Sequence, residues 1–245
     1  MANWSDPRSG VAGYGNATTA RGEAFAAGLR RYMLSVYNYM ASGVLLTGIV
    51  ALLFASSGLA YQILAGPGLL KYIIMFAPLA FVMVLSFGIN RLSTVTAQAL
   101  YWAYAAVMGL SLSSIFLVYT GTSIAQTFFA TAAAFAGLSL WGYTTKKDLS
   151  GFGTFLIMGV VGLLVASLIN LFLRSSAMDL VISFLGVLLF AGLTAYDTQK
   201  IKSIYAHVAG TDMMGKSVIM GALNLYLDFI NMFLFLLRFM GGSRD

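Results

Sequence analysis

Of the chain's 245 residues, 60% are hydrophobic and only 9% charged, and its mean hydropathy is +0.87. Soluble domains are about a quarter charged and about half apolar, so a water-soluble globule is excluded. The net charge of +6 comes from 14 Lys and Arg set singly between apolar runs, which argues against a phosphate-binding stripe and hence against a nucleic-acid partner. With no cysteine there is no disulfide, no thiolate metal site and no cysteine nucleophile.

Residues 1–31 are polar and Gly/Ala-rich and read as a flexible cytoplasmic tail, with no h-region of a cleavable signal before Arg31. The first span is therefore expected to act as an uncleaved signal. A transmembrane domain over 32–241 follows, then a short C-terminal tail, 242–245. Seven apolar runs lie in that domain: Tyr32–Ala55, Tyr72–Ile89, Ala97–Tyr119, Ile124–Tyr143, Phe155–Leu173, Leu180–Tyr196 and Val218–Phe239. They are long and do not alternate. Backbone groups in hydrocarbon must be satisfied within the segment, so these runs predict an all-α, polytopic bundle of seven transmembrane helices. Gly58 to Gly68, with Pro67, reads as a turn, and Pro78 as a kink in the second span. No internal repeat is evident.

Basic residues set the orientation. With the N-terminus in the cytoplasm, the inside set is Arg8, Arg21, Arg30, Arg31, Arg91, Lys146, Lys147, Lys200, Lys202 and Lys216. The outside set is Lys71, Arg174, Arg238 and Arg244. This asymmetry follows the positive-inside rule and places the C-terminus outside, unless the last segment is re-entrant. Small residues within the spans (Gly43, Gly48, Ala130 to Ala136, Gly137, Gly159, Gly162) read as close helix packing. Tyr72, Trp102, Trp141 and Tyr143, near span ends, read as interfacial anchors.

Chemistry must rest on polar groups that are expensive to bury. Asp6, Glu23, Asp148, Asp212 and Asp245 belong to tails or loops, and Asp179 lies at the outer edge of the sixth span. Asp228 is different: it falls deep in LNLYLDFINMFLFLL, where an ionised carboxylate costs at least ~2.5–3.5 kcal/mol. Asn224, Asp228 and Asn231 stand at i, i+4 and i+7, a single polar stripe that must face the bundle interior. A packing network would satisfy the same stripe without further function. Asp197 closes the sixth span in GLTAYDTQKIK and has Lys200 three residues on as a possible structural partner. Arg91, in FGINRLS, reads either as a snorkelling anchor or as a partner for a carboxylate.

AYDTQKIK (Ala195–Lys202), LYLDFINMFLFLLRF (Leu225–Phe239) and the KKDLS loop (Lys146–Ser150) resemble the Bax inhibitor-1, or transmembrane Bax-inhibitor-motif, family and its bacterial members of YccA type. The resemblance spans all seven runs. It implies a seven-helix bundle with the last helix central, and a pair of aspartates from the last two helices closing the cytoplasmic side of a pore. Those aspartates match Asp197 and Asp228, and the family's arginine near the end of the second helix falls on Arg91. The loop between Lys202 and Ser217 is longer than in the shortest bacterial members and touches neither motif.

Two carboxyls brought together in a poorly solvated site cannot both ionise cheaply. They are expected to share a proton that holds the helices together, and deprotonation would push them apart. A nearby Arg91 would favour the ionised form. The same oxygens suit calcium, bound weakly as permeation requires, with Asn224 or Asn231 as supporting groups. The expected function is a pH-sensitive calcium leak in a bacterial inner membrane, with no catalytic residue, no enzymatic activity and no resident cofactor. A protein that modulates a membrane-bound quality-control protease, without a pore, remains the alternative. An aspartyl protease needs Gly-x-Gly-Asp where Leu225-Tyr226-Leu227 precedes Asp228. A serine protease needs a buried histidine, whereas His207 lies in a loop, and a retinal protein needs a lysine deep in the last span. Oligomeric state is not legible.

Overall fold

The computed structural model describes the backbone of residues 8–242 and the side chains of residues 21–242. The chain order is α1 (Arg8–Ser56), a π-helical turn (Tyr61–Ala65), α2 (Leu70–Gly88), α3 (Thr94–Leu112), a short α4 (Ile115–Val118), α5 (Gly121–Thr144), α6 (Ser150–Leu173), α7 (Ser176–Val208) and α8 (Met213–Met240). Seven stretches are long and apolar enough to cross a bilayer; α3 and α4 together make the third, Thr94–Val118. The protein is an integral membrane protein built as a helical bundle. Of the expected N-terminal tail, residues 1–7 lie outside the described residues, and the remainder is continuous with α1. Of the expected C-terminal tail, 243–245 lie outside them.

Local chemistry explains the boundaries. Ser93, Thr120 and Ser175 each accept the backbone N–H three residues on, capping α3, α5 and α7. Gly58 and Gly210, both at φ 76°, supply the left-handed turns after α1 and α7. Ser113 and Ser114 turn their hydroxyls back to the carbonyls of Leu110 and Ser111 where α3 gives way to α4. Pro78 lies buried within α2, which continues through it.

Several helices outrun the apolar stretches that announced them. The sixth span was expected to end at Tyr196, yet α7 continues to Val208. Hydropathy marks the part of a helix that meets lipid, not the end of its hydrogen bonding. The extension is held by α1: the Tyr205 ring stacks with Phe25 and Tyr32 at 5.1 and 5.3 Å, and Gly28 leaves room for its hydroxyl.

The last helix is central. In α8, 67% of the most apolar stretch is buried, against 11–33% in the other six spans. It packs on α7, α1, α5 and α3, while α6 and α2 stand outside, against α7 and α3. Gly142 of α5 lies against the Ala195 backbone, Gly153 of α6 against the Tyr196 ring, and Gly109 of α3 against the Thr47 carbonyl, where small residues admit a neighbouring backbone or ring. Among the glycines singled out by sequence, Gly43 and Gly159 make such approaches, but Gly48, Gly137 and Gly162 face open space. A glycine in an apolar run does not by itself reveal which side of its helix is packed.

Candidate functional site

The bundle brings Asp197 and Asp228 together. Asp197 sits within α7, three turns before its end, and Asp228 lies at the middle of α8, only 4% exposed. Their side chains are close enough to interact with each other. Two ionised carboxylates have no donor between them, so a hydrogen bond joining the pair would need a proton on one of them. No donor among the described residues reaches Oδ2 of Asp228.

The surrounding charges are few. Lys200 bears on Asp197 electrostatically but stands over the Tyr196 ring, 5.8 Å from its centroid, and forms no ion pair among the described residues. Arg91 is exposed in the turn between α2 and α3 and pairs with neither aspartate. Among the described residues the ion pair is Arg238 with Asp179, 3.5 Å, at the opposite end of α7 and α8. Of the polar stripe on α8, Asp228 alone is buried. Asn231 donates to the Leu227 carbonyl at 2.8 Å, and both asparagines are half-buried. The pair supplies two carboxylates, and no group of three or more acidic or histidine side chains is clustered among the described residues.

Hydroxyl groups link the helices beside the pair. Thr198, next to Asp197, is hydrogen bonded to Ser139 of α5 at 2.9 Å, and Ser139 to the Tyr37 hydroxyl of α1. On the other side of α8, Thr47 of α1 donates to the Ala105 carbonyl of α3 at 2.7 Å. Its one proton is thereby used, so the Tyr226 hydroxyl, 2.7 Å away, is the donor in that contact. Gln199 grips the KKDLS loop from α7: its Oε1 accepts the Leu149 N–H and its Nε2 donates to the Lys147 carbonyl, both at 2.8 Å. In the same loop the Ser150 hydroxyl and amide hold the Asp148 carboxyl below the usual carboxylate range. Sequence reasoning overlooked Gln199, Thr198, Ser139 and Tyr226. Only the position of Thr198 and Gln199 immediately after Asp197 marked any of them.

Residues 29–245 match the family described as inhibitor of apoptosis-promoting Bax1. The chain belongs to the Bax inhibitor-1 family. It is 50% identical over 229 residues to the uncharacterized protein RP147 of Rickettsia prowazekii, an alignment covering 93% of this chain and 96% of that one. An uncharacterized protein of Caulobacter vibrioides is 48% identical, over 89% of this chain and 91% of its own. The Escherichia coli K12 inner membrane protein YbhL is 47% identical, over 89% and 94%. In this member of the Bax inhibitor-1 family, Gln199 ties together two of the segments that carried the resemblance, AYDTQKIK and KKDLS.

Proposed function

We propose that this protein is a pH-gated calcium leak pathway of a bacterial inner membrane, shut by the pair Asp197–Asp228. The observation that carries the reading is the proximity of two carboxyls on neighbouring helices, one of them 4% exposed with an oxygen that no donor among the described residues reaches. A structural network would be expected to satisfy that oxygen; an ion pathway keeps it available. While the pair holds a proton, the bridge joins α7 to α8. When both groups ionise, two like charges face each other in poorly solvated surroundings and the helices are driven apart. Conduction therefore rises with pH. Calcium favours oxygen donors, and two carboxylates without a preformed cage bind it weakly enough to release it. An inner-membrane location accords with the name of the YbhL relative. A cytoplasmic N-terminus accords with the basic residues, and nothing in this mechanism calls for catalysis.

The test is calcium efflux from proteoliposomes across pH for the wild type, Asp197→Asn and Asp228→Asn, each checked for monodispersity. Asparagine keeps the hydrogen-bonding shape and removes the second charge, so the rise in flux with pH should vanish in both variants. Flux with the wild-type pH profile in both would overturn the gate. No flux at any pH in the wild type would leave the reading of a regulatory partner for a membrane-bound protease.

A further inference from the structure

On the face of the bundle where α1 and α5 part, a groove of about 850 Å³ opens sideways. Its walls are mostly apolar, and it runs from Arg30 to Leu45 on α1 and from Tyr143 back to Phe128 on α5. Fifteen rises of 1.5 Å make it about 22 Å long on either helix. That is half of a bilayer about 40–45 Å thick with its headgroups, one leaflet from interface to midplane. The volume is in the range of small-molecule sites, about 300–1,000 Å³.

Charge is confined to one end. Arg30 is exposed there and has no ion pair among the described residues. Lys202 of α7 reaches the same end: its ammonium donates to the Tyr143 carbonyl at 2.7 Å and lies 4.9 Å from the centre of the Tyr143 ring. That bond leaves two of its three protons free. The nearby acid, Asp148, is engaged by Ser150. A trench with Arg30 at its rim, Lys202 beside it on Tyr143 and a mostly apolar wall beyond has the layout of a phospholipid, and basic pockets between spans select anionic headgroups.

We propose that this groove binds an anionic phospholipid of the leaflet on the Arg30 side, with its phosphate at Arg30 and Lys202 and an acyl chain laid along α1 and α5 toward Leu45 and Phe128. The site touches the centre of the bundle, because Phe229, next to Asp228, lines the groove. So do Tyr37 and Ser139, whose hydrogen bond joins the two walls.

Native mass spectrometry of the full chain titrated with dioleoylphosphatidylglycerol or dioleoylphosphatidylcholine tests the proposal. One phosphatidylglycerol per chain should bind saturably and in preference to phosphatidylcholine. Ala136→Trp, which fills the groove from α5, should abolish that binding, and Leu164→Trp, on the exposed face of α6, should not. Arg30→Ala should weaken it about fivefold. Should Ala136→Trp fail to fold, Arg30→Glu at the exposed rim reads the same contact and should weaken binding further. Equal binding of both lipids, unchanged by either groove substitution, would reduce the site to ordinary annular lipid. A change of oligomeric state in Ala136→Trp with phosphatidylglycerol binding intact would assign the groove to a second copy of the chain. Either result overturns the proposal.

Discussion

Ser139 and Thr198 join α5 to α7 through their hydroxyls, 2.9 Å apart and one residue along from Asp197. Because Ser139 also meets Tyr37, three helices are tied at the level of the aspartate pair. Hydrogen bonds between membrane helices contribute on the order of 1 kcal/mol. Ser139→Ala removes two at once and is expected to lower stability by ~1–2 kcal/mol, while Ser139→Thr, which keeps the hydroxyl, loses less. Unfolding in a mixed-micelle titration with sodium dodecyl sulfate measures the difference. Equal midpoints for wild type and alanine variant would mean that the chain of hydroxyls does not hold the helices.

Bundle architecture was legible in the sequence because a bilayer leaves the backbone few choices: a long apolar run without alternation has to be a helix. All seven runs are helices, and the deep carboxylate at Asp228 could be recognised from the expense of burying it. What hydropathy leaves out is anything decided by helix rotation. Gly142 and Gly162 look alike in sequence, yet only Gly142 meets a neighbouring backbone. The partnership of Gln199 with Lys147 and Leu149 spans some fifty residues and has no periodic signature. Asp197 appeared to end its span because polarity begins there, whereas the helix runs on under the cover of α1.

The two glycines give a direct test of packing. A Cβ at position 142 would collide with the carbonyl of Ala195, backbone that moves only with the whole of α7, whereas position 162 is open. Gly142→Ala is expected to destabilise by ~1–3 kcal/mol, as overpacking does. Gly162→Ala should be neutral or slightly stabilising, since alanine is the better helix former. The same unfolding titration compares them, and a Gly142→Ala midpoint at or above that of Gly162→Ala would contradict the α5–α7 contact.

With the N-terminus in the cytoplasm, ten Lys and Arg would lie inside and four outside, and the positive-inside rule makes that the expected topology. The chain has no cysteine, so a single one at Lys147→Cys reports without background. In intact cells it should resist an impermeant maleimide and react once the membrane is opened. Position 71, expected on the opposite side, should label from outside as Lys71→Cys. Ready external labelling at 147 with protection at 71 would invert the orientation and place the aspartate pair nearer the outer face.

Arg91 separates anchoring from tuning. If its guanidinium touched the aspartate pair it would favour the ionised state, and its removal would move the rise in flux toward alkaline pH. Arg91 is exposed in the turn after α2 and forms no ion pair with Asp197 or Asp228. An exposed arginine there snorkels to the headgroups, a task that needs a positive charge on a flexible stem rather than a planar fork. Arg91→Lys is therefore expected to behave as wild type. Arg91→Ala should lower membrane insertion or expression without moving the pH midpoint of calcium efflux. The assay is a pH titration of flux normalised to the protein recovered in liposomes. An alkaline shift in Arg91→Ala that Arg91→Lys fails to rescue would show that the turn closes on the pair during gating, and would add a bidentate contact to the mechanism.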